Sequence, residues 1–132
     1  MTGSSPIEEK FHAALDLYNR GDYLGCQQLI DEAYVRAAPA EQPLIRATAM
    51  LATAMHLHFK RGGGRGVVNL LQQFLVTLED RREDRLGINV AELYDAVEAY
   101  LAELKDRRKP GASFFDRWLA PKIRYAKLKA QS

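Results

Sequence analysis

A single cysteine, Cys26, stands among 132 residues, so the chain can form no internal disulfide and must be held together by its core. Spaced at helical intervals from Tyr23 and Ile30, Cys26 reads as a small buried hydrophobe rather than a reactive thiol, and it fits a reducing compartment. Histidine is nearly as scarce, with His12, His56 and His58 the only candidates for proton chemistry near neutral pH. His56 and His58 are two apart, so on a helix they point to different faces and cannot share an ion. There is no HExxH and no Cys/His cluster, which removes the usual zinc arrangements. The uncharged segment Ala47 to Phe59, with two His and two Thr, is too short to span a bilayer. Met1 to Ser5 has neither positive charge nor an apolar run, so no signal peptide is expected and a cytoplasmic protein is the default. Strand-like alternation is absent as well.

What is present is an ordinary soluble composition, 47% apolar and 27% charged, of one domain's length. The net charge of +2 hides a split. Residues 107–132 carry eight Lys/Arg against Asp116 alone, or +7, and residues 1–106 carry eleven against sixteen acids, or −5. The body is mildly acidic and the tail strongly basic. The expected organisation is a helical bundle over residues 1–109 and a basic, aromatic extension over 110–132, packed on it or projecting from it.

The chain also echoes itself. Tyr18-Asn19-Arg20-Gly21, with Tyr23, Cys26, Leu29 and Ile30, returns about forty residues later as Phe59-Lys60-Arg61-Gly62, with Val67, Leu70 and Leu71. Each copy ends a helix on an aromatic and an Arg, turns on Gly, and starts a second helix. Two stacked helical hairpins follow, the signature of a tetratricopeptide-like architecture. The fold class expected is therefore all-α, with about five main helices and a basic C-terminal helical extension.

Apolar spacing locates the helices. Ile7, Phe11, Ala14, Leu15 and Tyr18 make the first stripe, opened by Ser5-Pro6 and closed by Gly21; Tyr23, Cys26, Leu29, Ile30, Ala33 and Ala37 make the second. The third helix, about Ala40 to Arg61, carries Leu44, Thr48, Leu51, Ala52, Met55 and Phe59, and its alanines suit the centre of the bundle. Val67, Leu71, Phe74, Leu75 and Leu78 form the fourth, before a solvated charged run from Glu79 to Arg85. Asn89 caps the fifth, which carries Val90, Leu93, Tyr94, Val97, Tyr100, Leu101 and Leu104. A last basic helix is expected from Lys122, with Ile123, Ala126 and Ala130 along one side.

Three stretches carry a resemblance: Leu17 to Tyr23, the second-helix run ending Asp31-Glu32-Ala33-Tyr34, and the Ala-rich third helix into His58-Phe59-Lys60-Arg61-Gly62. Over roughly Phe11 to Asp80 the chain resembles the helical-bundle family known as domain of unknown function 309. The resemblance implies a polar pocket on the second helix, where members have His-Glu, then an acid, then Trp. Here those positions are Gln27, Gln28, Asp31 or Glu32, and Tyr34. The lost His and Glu argue against a metal or catalytic role. What the resemblance leaves is a polar groove of Gln27, Asp31, Tyr34 and His58.

No catalytic residue, metal or cofactor is expected. Gly62-Gly63-Gly64-Arg65-Gly66 lacks the preceding strand and the terminal Gly-Lys-Ser/Thr of a phosphate loop, so it reads as a helix–helix turn. His58 reads as a hydrogen-bonded wall residue, with ligand or proton carrier as the competing reading. The functional expectation is a non-enzymatic protein-interaction module, an adaptor or assembly factor. It would use the concave side of the hairpins and a second surface of Arg117, Trp118, Lys122, Arg124, Tyr125 and Lys127 that docks on an acidic protein. Small-ligand binding or enzyme activity in the His58 groove, and nucleic-acid binding through the tail, are the alternatives. An acidic body argues against a dedicated nucleic-acid binder, and a weak apolar face on the last helix argues against a membrane. Self-association uses the same residue types as partner docking, so a homo-oligomer stays open.

Overall fold

Helical caps and apolar stripes divide the chain as the spacing predicts. A computed structural model describes residues 6–61, 65–105 and 123. Among them lie five helices, α1 (Pro6–Asn19), α2 (Tyr23–Arg36), α3 (Gln42–Arg61), α4 (Arg65–Leu78) and α5 (Val90–Lys105). Each packs on its neighbour in the chain, so the molecule is an all-helical bundle of stacked hairpins. No strand forms among the described residues; Arg85 and Ile88 make one isolated bridge.

The α1–α2 turn follows from Gly21. At φ +90° it takes the left-handed conformation that costs glycine nothing. The Gly21 N–H then donates to the Tyr18 carbonyl at 2.9 Å and the Asp22 N–H to the Leu17 carbonyl at 2.8 Å, the paired bonds of a Schellman ending. Asp22 at once caps α2, its carboxylate accepting from the Gly25 N–H at 2.9 Å. Asn19 is thereby fixed in the last turn of α1.

Phe11, Ala14, Leu15 and Tyr18 of α1 and Tyr23, Cys26, Ile30 and Ala33 of α2 are buried. Leu44, Ile45, Leu51 and Met55 of α3 are buried between them and Val67, Leu71, Phe74 and Leu78 of α4. The two echoed turns meet through their aromatics. Tyr18 meets Tyr23 edge-on at 5.3 Å, and Tyr23 stacks with Phe59 at 6.3 Å. α5 closes this aromatic side, where the Tyr100 ring meets His58 edge-on at 6.0 Å.

The α4–α5 connection is partly solvated, as its charges require, but it is not all loop. Leu86 and Gly87 both take positive φ, +53° and +75°, in a two-residue turn closed by two backbone bonds between Arg85 and Ile88. Leu86 and Ile88 are buried in the core, and the Leu86 carbonyl accepts from His12 Nε2 at 2.7 Å. A carbonyl can only accept, so His12 carries its proton on Nε2. This contact ties α1 to the far end of the bundle.

One further residue joins the core. Ile123, 2% exposed, belongs to the same apolar cluster. It lies outside any helix, so the helix expected from Lys122 does not include it.

Candidate interaction surfaces

Gln27, Asp31 and Tyr34 stand at i, i+4 and i+7 on α2, one face by helical geometry. That face meets α3. The Gln27 amide donates to the Thr53 hydroxyl, which itself donates to the Ala49 carbonyl at 2.9 Å. Tyr34 accepts at its hydroxyl from the Arg46 guanidinium at 2.8 Å, and the same cation stands over its ring at 5.8 Å. The antiparallel register of these two contacts puts the exposed Asp31 opposite Ala49 and Met50. Glu32 points the other way, to Lys10 of α1 at 2.6 Å, and that partner holds its carboxyl below the usual range. Asp31 therefore belongs to the polar face and Glu32 does not.

His58 is not part of this face. It sits about 140° round α3 from Thr53, 3% exposed. Its ring meets Phe59 at 4.8 Å and Tyr100 of α5. The structure brings Gln27, Asp31 and Tyr34 together and places His58 on the α5 side.

On the other flank of α3, Met50 meets α4. Met50, Asn69, Gln72, Gln73, Val76 and Thr77 line an open depression of about 310 Å³. Asn69, Gln72, Gln73 and Val76 fall at i, i+3, i+4 and i+7. That amide stripe was legible in the sequence once α4's buried face was assigned, but its partner Met50 was not. With Val76 72% exposed and Val35 of α2 83% exposed, the α2–α3–α4 side offers amides, a phenol and scattered apolar groups to solvent. Such a surface is wide and shallow, suited to contact by another macromolecule more than to enclosure of a small molecule.

A second feature was missed altogether. The Asn19 amide brackets the backbone of Ile123: Nδ2–H donates to the Ile123 carbonyl at 2.9 Å, and Oδ1 accepts from the Ile123 N–H at 2.9 Å. Beside it, Asp16, Asn19 and Arg20 line an open depression of about 320 Å³. The remaining tail candidates, Arg117, Trp118, Lys122, Arg124, Tyr125 and Lys127, lie outside the described residues.

Two negative observations bear on chemistry. Among the described residues, no three His, Cys, Asp or Glu side chains are gathered so as to hold a metal ion. Nor, among them, is any helix long and apolar enough to cross a membrane. Cys26 is buried, and loss of hydration pushes its thiol up to about 12, with the Asp22 carboxylate adding to the rise. No family model, no curated protein and no solved structure matches the chain.

Proposed function

We propose that this chain is a protein-interaction module, an adaptor or assembly factor. It presents the α2–α3–α4 face as one docking surface and the basic tail as another. The observation that carries the reading is the α2–α3–α4 face itself. Gln27, Asp31, Tyr34 and Arg46 lie on one flank of α3, and Asn69, Gln72, Gln73 and Val76 on the other. Amides, a Tyr–Arg pair and isolated valines around a shallow trough are the residue types of a polar protein interface. The charge split supports a second, electrostatic contact, in which Lys122, Arg124 and Lys127 pair with an acidic partner and Trp118 and Tyr125 add apolar area.

The test is a nuclease-treated pull-down from native extract. Because Ile123 is in the core, the tail is altered by charge and not by removal. One variant carries Lys122→Glu, Arg124→Glu and Lys127→Glu, and a second carries Gln72→Arg and Val76→Asp. A defined protein partner retained by the parent and lost with either variant supports the module. If a nucleic acid is what the tail holds, gel-shift affinity falls steeply with salt and the protein partner disappears on nuclease treatment.

A further inference from the structure

We propose that α4 docks on α4 of a second copy of this chain, antiparallel about a two-fold axis between Gln72 and Gln73. The inference deepens the interaction reading above, since it names what covers the α4 part of that face, and it rests on that reading.

The first argument is where charge is missing. The chain is 27% charged, yet α4 carries no charged residue between Arg65 and its end at Leu78. Its exposed positions include Arg65, Asn69, Gln72, Gln73 and Val76, one stripe by helical spacing. Met50 of α3 lines the same depression, and α3 has no Lys, Arg, Asp or Glu from Ala47 to Phe59. A two-fold contact brings a patch against its own copy, so a patch of one sign repels itself. The outer side of α5 is such a patch, with Glu92, Asp95, Glu98 and Glu103 all exposed. The α4 stripe has no such conflict. Each of its amides is both donor and acceptor and can pair with another amide.

The second argument is what stands at the two ends. Arg65 opens α4, and the exposed turn Glu79-Asp80 follows it. Residues equally far on either side of the axis face each other. Gln72 then meets Gln73, Asn69 meets Val76, and Arg65 meets Asp80, each contact occurring twice. A parallel pairing would instead set Arg65 against Arg65 and Asp80 against Asp80. A cation at one end, an acid at the other and amides between selects its own reverse. Arg81 falls outside the paired span, and Arg82 is turned onto α5, 3.9 Å from the Tyr94 ring centre.

The size of the face sets the strength. α4 is roughly 21 Å long, and its axis lies about 8–10 Å from that of α3. The shared face is then on the order of 600 Å² of accessible surface per copy, below the ~800 Å² of a standard interface. A reversible dimer follows, with a dissociation constant on the order of tens of micromolar. The α2 flank, with Gln27, Asp31 and Tyr34, stays open in each copy, so the pair presents that flank twice to another protein.

The experiment is sedimentation equilibrium of the purified full chain from about 5 to about 500 μM at low salt. The mass is expected to rise from 14.9 kDa toward twice that value. Val76→Lys, at a site 72% exposed, should keep the helical far-UV signal and weaken the dimer at least tenfold. Arg65→Asp and Asp80→Arg should each weaken it about tenfold, because each sets like charges face to face twice. The double variant exchanges the two ends and should return to within about threefold of the parent. Within one chain these residues are about 22 Å apart along α4, so the recovery reads a contact between copies. Neither reversal threatens the helix, since an acid suits its start and a base its end.

A mass that stays at 14.9 kDa throughout overturns the proposal, as does a dimer unchanged by Val76→Lys. Charge reversals that fail to rescue one another overturn it too, because the contact then uses another face or register. If the chain is monomeric while Gln72→Arg with Val76→Asp loses a partner in the pull-down, the occupant is another protein. The second copy is then refuted and the module reading stands. If the dimer forms and is rescued while the pull-down retains nothing, self-docking stands and the reading of a separate protein partner fails.

Discussion

Cys26 and Tyr18 share one constraint: each is an acid buried in its neutral form. Burial is the leading cause of both upward shifts, which take Cys26 to about 12 and Tyr18 well above 10.0, with Tyr23, Cys26 and Tyr100 adding to the latter. The consequence for stability has a definite sign. Below pH 9.0, the thiol's ordinary value here, it is neutral in both folded and unfolded chains and contributes no pH dependence. Between 9.0 and about 12 the unfolded thiol ionises while the folded one does not, so stability falls as pH rises. Urea midpoints measured from pH 7 to 11 should therefore decline from about pH 9. Cys26→Ala should flatten that decline, although the smaller side chain lowers the midpoint at pH 7. A decline of the same slope in Cys26→Ala would show that the thiol is not its source. The burial of Cys26 was legible from its place in the α2 stripe. The buried phenols were legible as apolar positions, but their shared neighbourhood was not, because Tyr18 and Tyr100 belong to elements far apart in the chain.

At the scale of elements, two glycine turns share a backbone conformation and differ in what surrounds them. Gly21 and Gly87 both take positive φ. A Cβ added at Gly21 meets nothing within 4 Å, so Gly21→Ala costs only the left-handed backbone, about 1–2 kcal/mol. At Gly87 the same atom would stand 2.9 Å from His12 Nε2 and 3.0 Å from Glu8 Oε2. His12 would have to leave the Leu86 carbonyl, so Gly87→Ala should cost roughly 1 kcal/mol more than Gly21→Ala. Chemical denaturation of the two variants checks the ranking, and equal costs would mean that the His12–Leu86 contact contributes nothing. The helix ending at Gly21 was readable because glycine after an aromatic stripe has one common use. The turn at Leu86-Gly87 was not. Leucine is a poor residue for positive φ, and burial of its side chain and the His12 bond to its carbonyl add to the two Arg85–Ile88 backbone bonds that hold it there. Neither is visible without α1 beside it. Arg82, 3.9 Å from the Tyr94 ring centre, pins the same connection to α5, although the charged run around it reads as solvent-facing.

At the scale of the whole molecule, the question is whether the basic tail is an appendage or part of the folding unit. Charge splits the chain at about residue 107, and that split suggests two regions; the apolar cluster runs from Phe11 to Ile123 and joins them. Helical periodicity shows which residues of an amphipathic segment face inward. It is silent about a single aliphatic residue that lies outside any helix, and Asn19 and Ile123 are 104 residues apart. The two descriptions predict different behaviour. If Ile123 is part of the cooperative core, Ile123→Ala removes buried methyl groups and leaves a cavity, a loss of about 2–4 kcal/mol. For a domain of this size that lowers the melting temperature by roughly 10 °C, with the far-UV signal of all the helices moving together. If the tail is an appendage, the helices melt where the parent does. Asn19→Ala sharpens the distinction. It removes the two bonds to the Ile123 backbone, so its effect should be small in a chain already carrying Ile123→Ala and larger in the parent. A thermal-melting cycle over the four chains measures that coupling. Strict additivity would mean that the two residues do not act as one anchor, and Ile123 would then contribute through apolar burial alone.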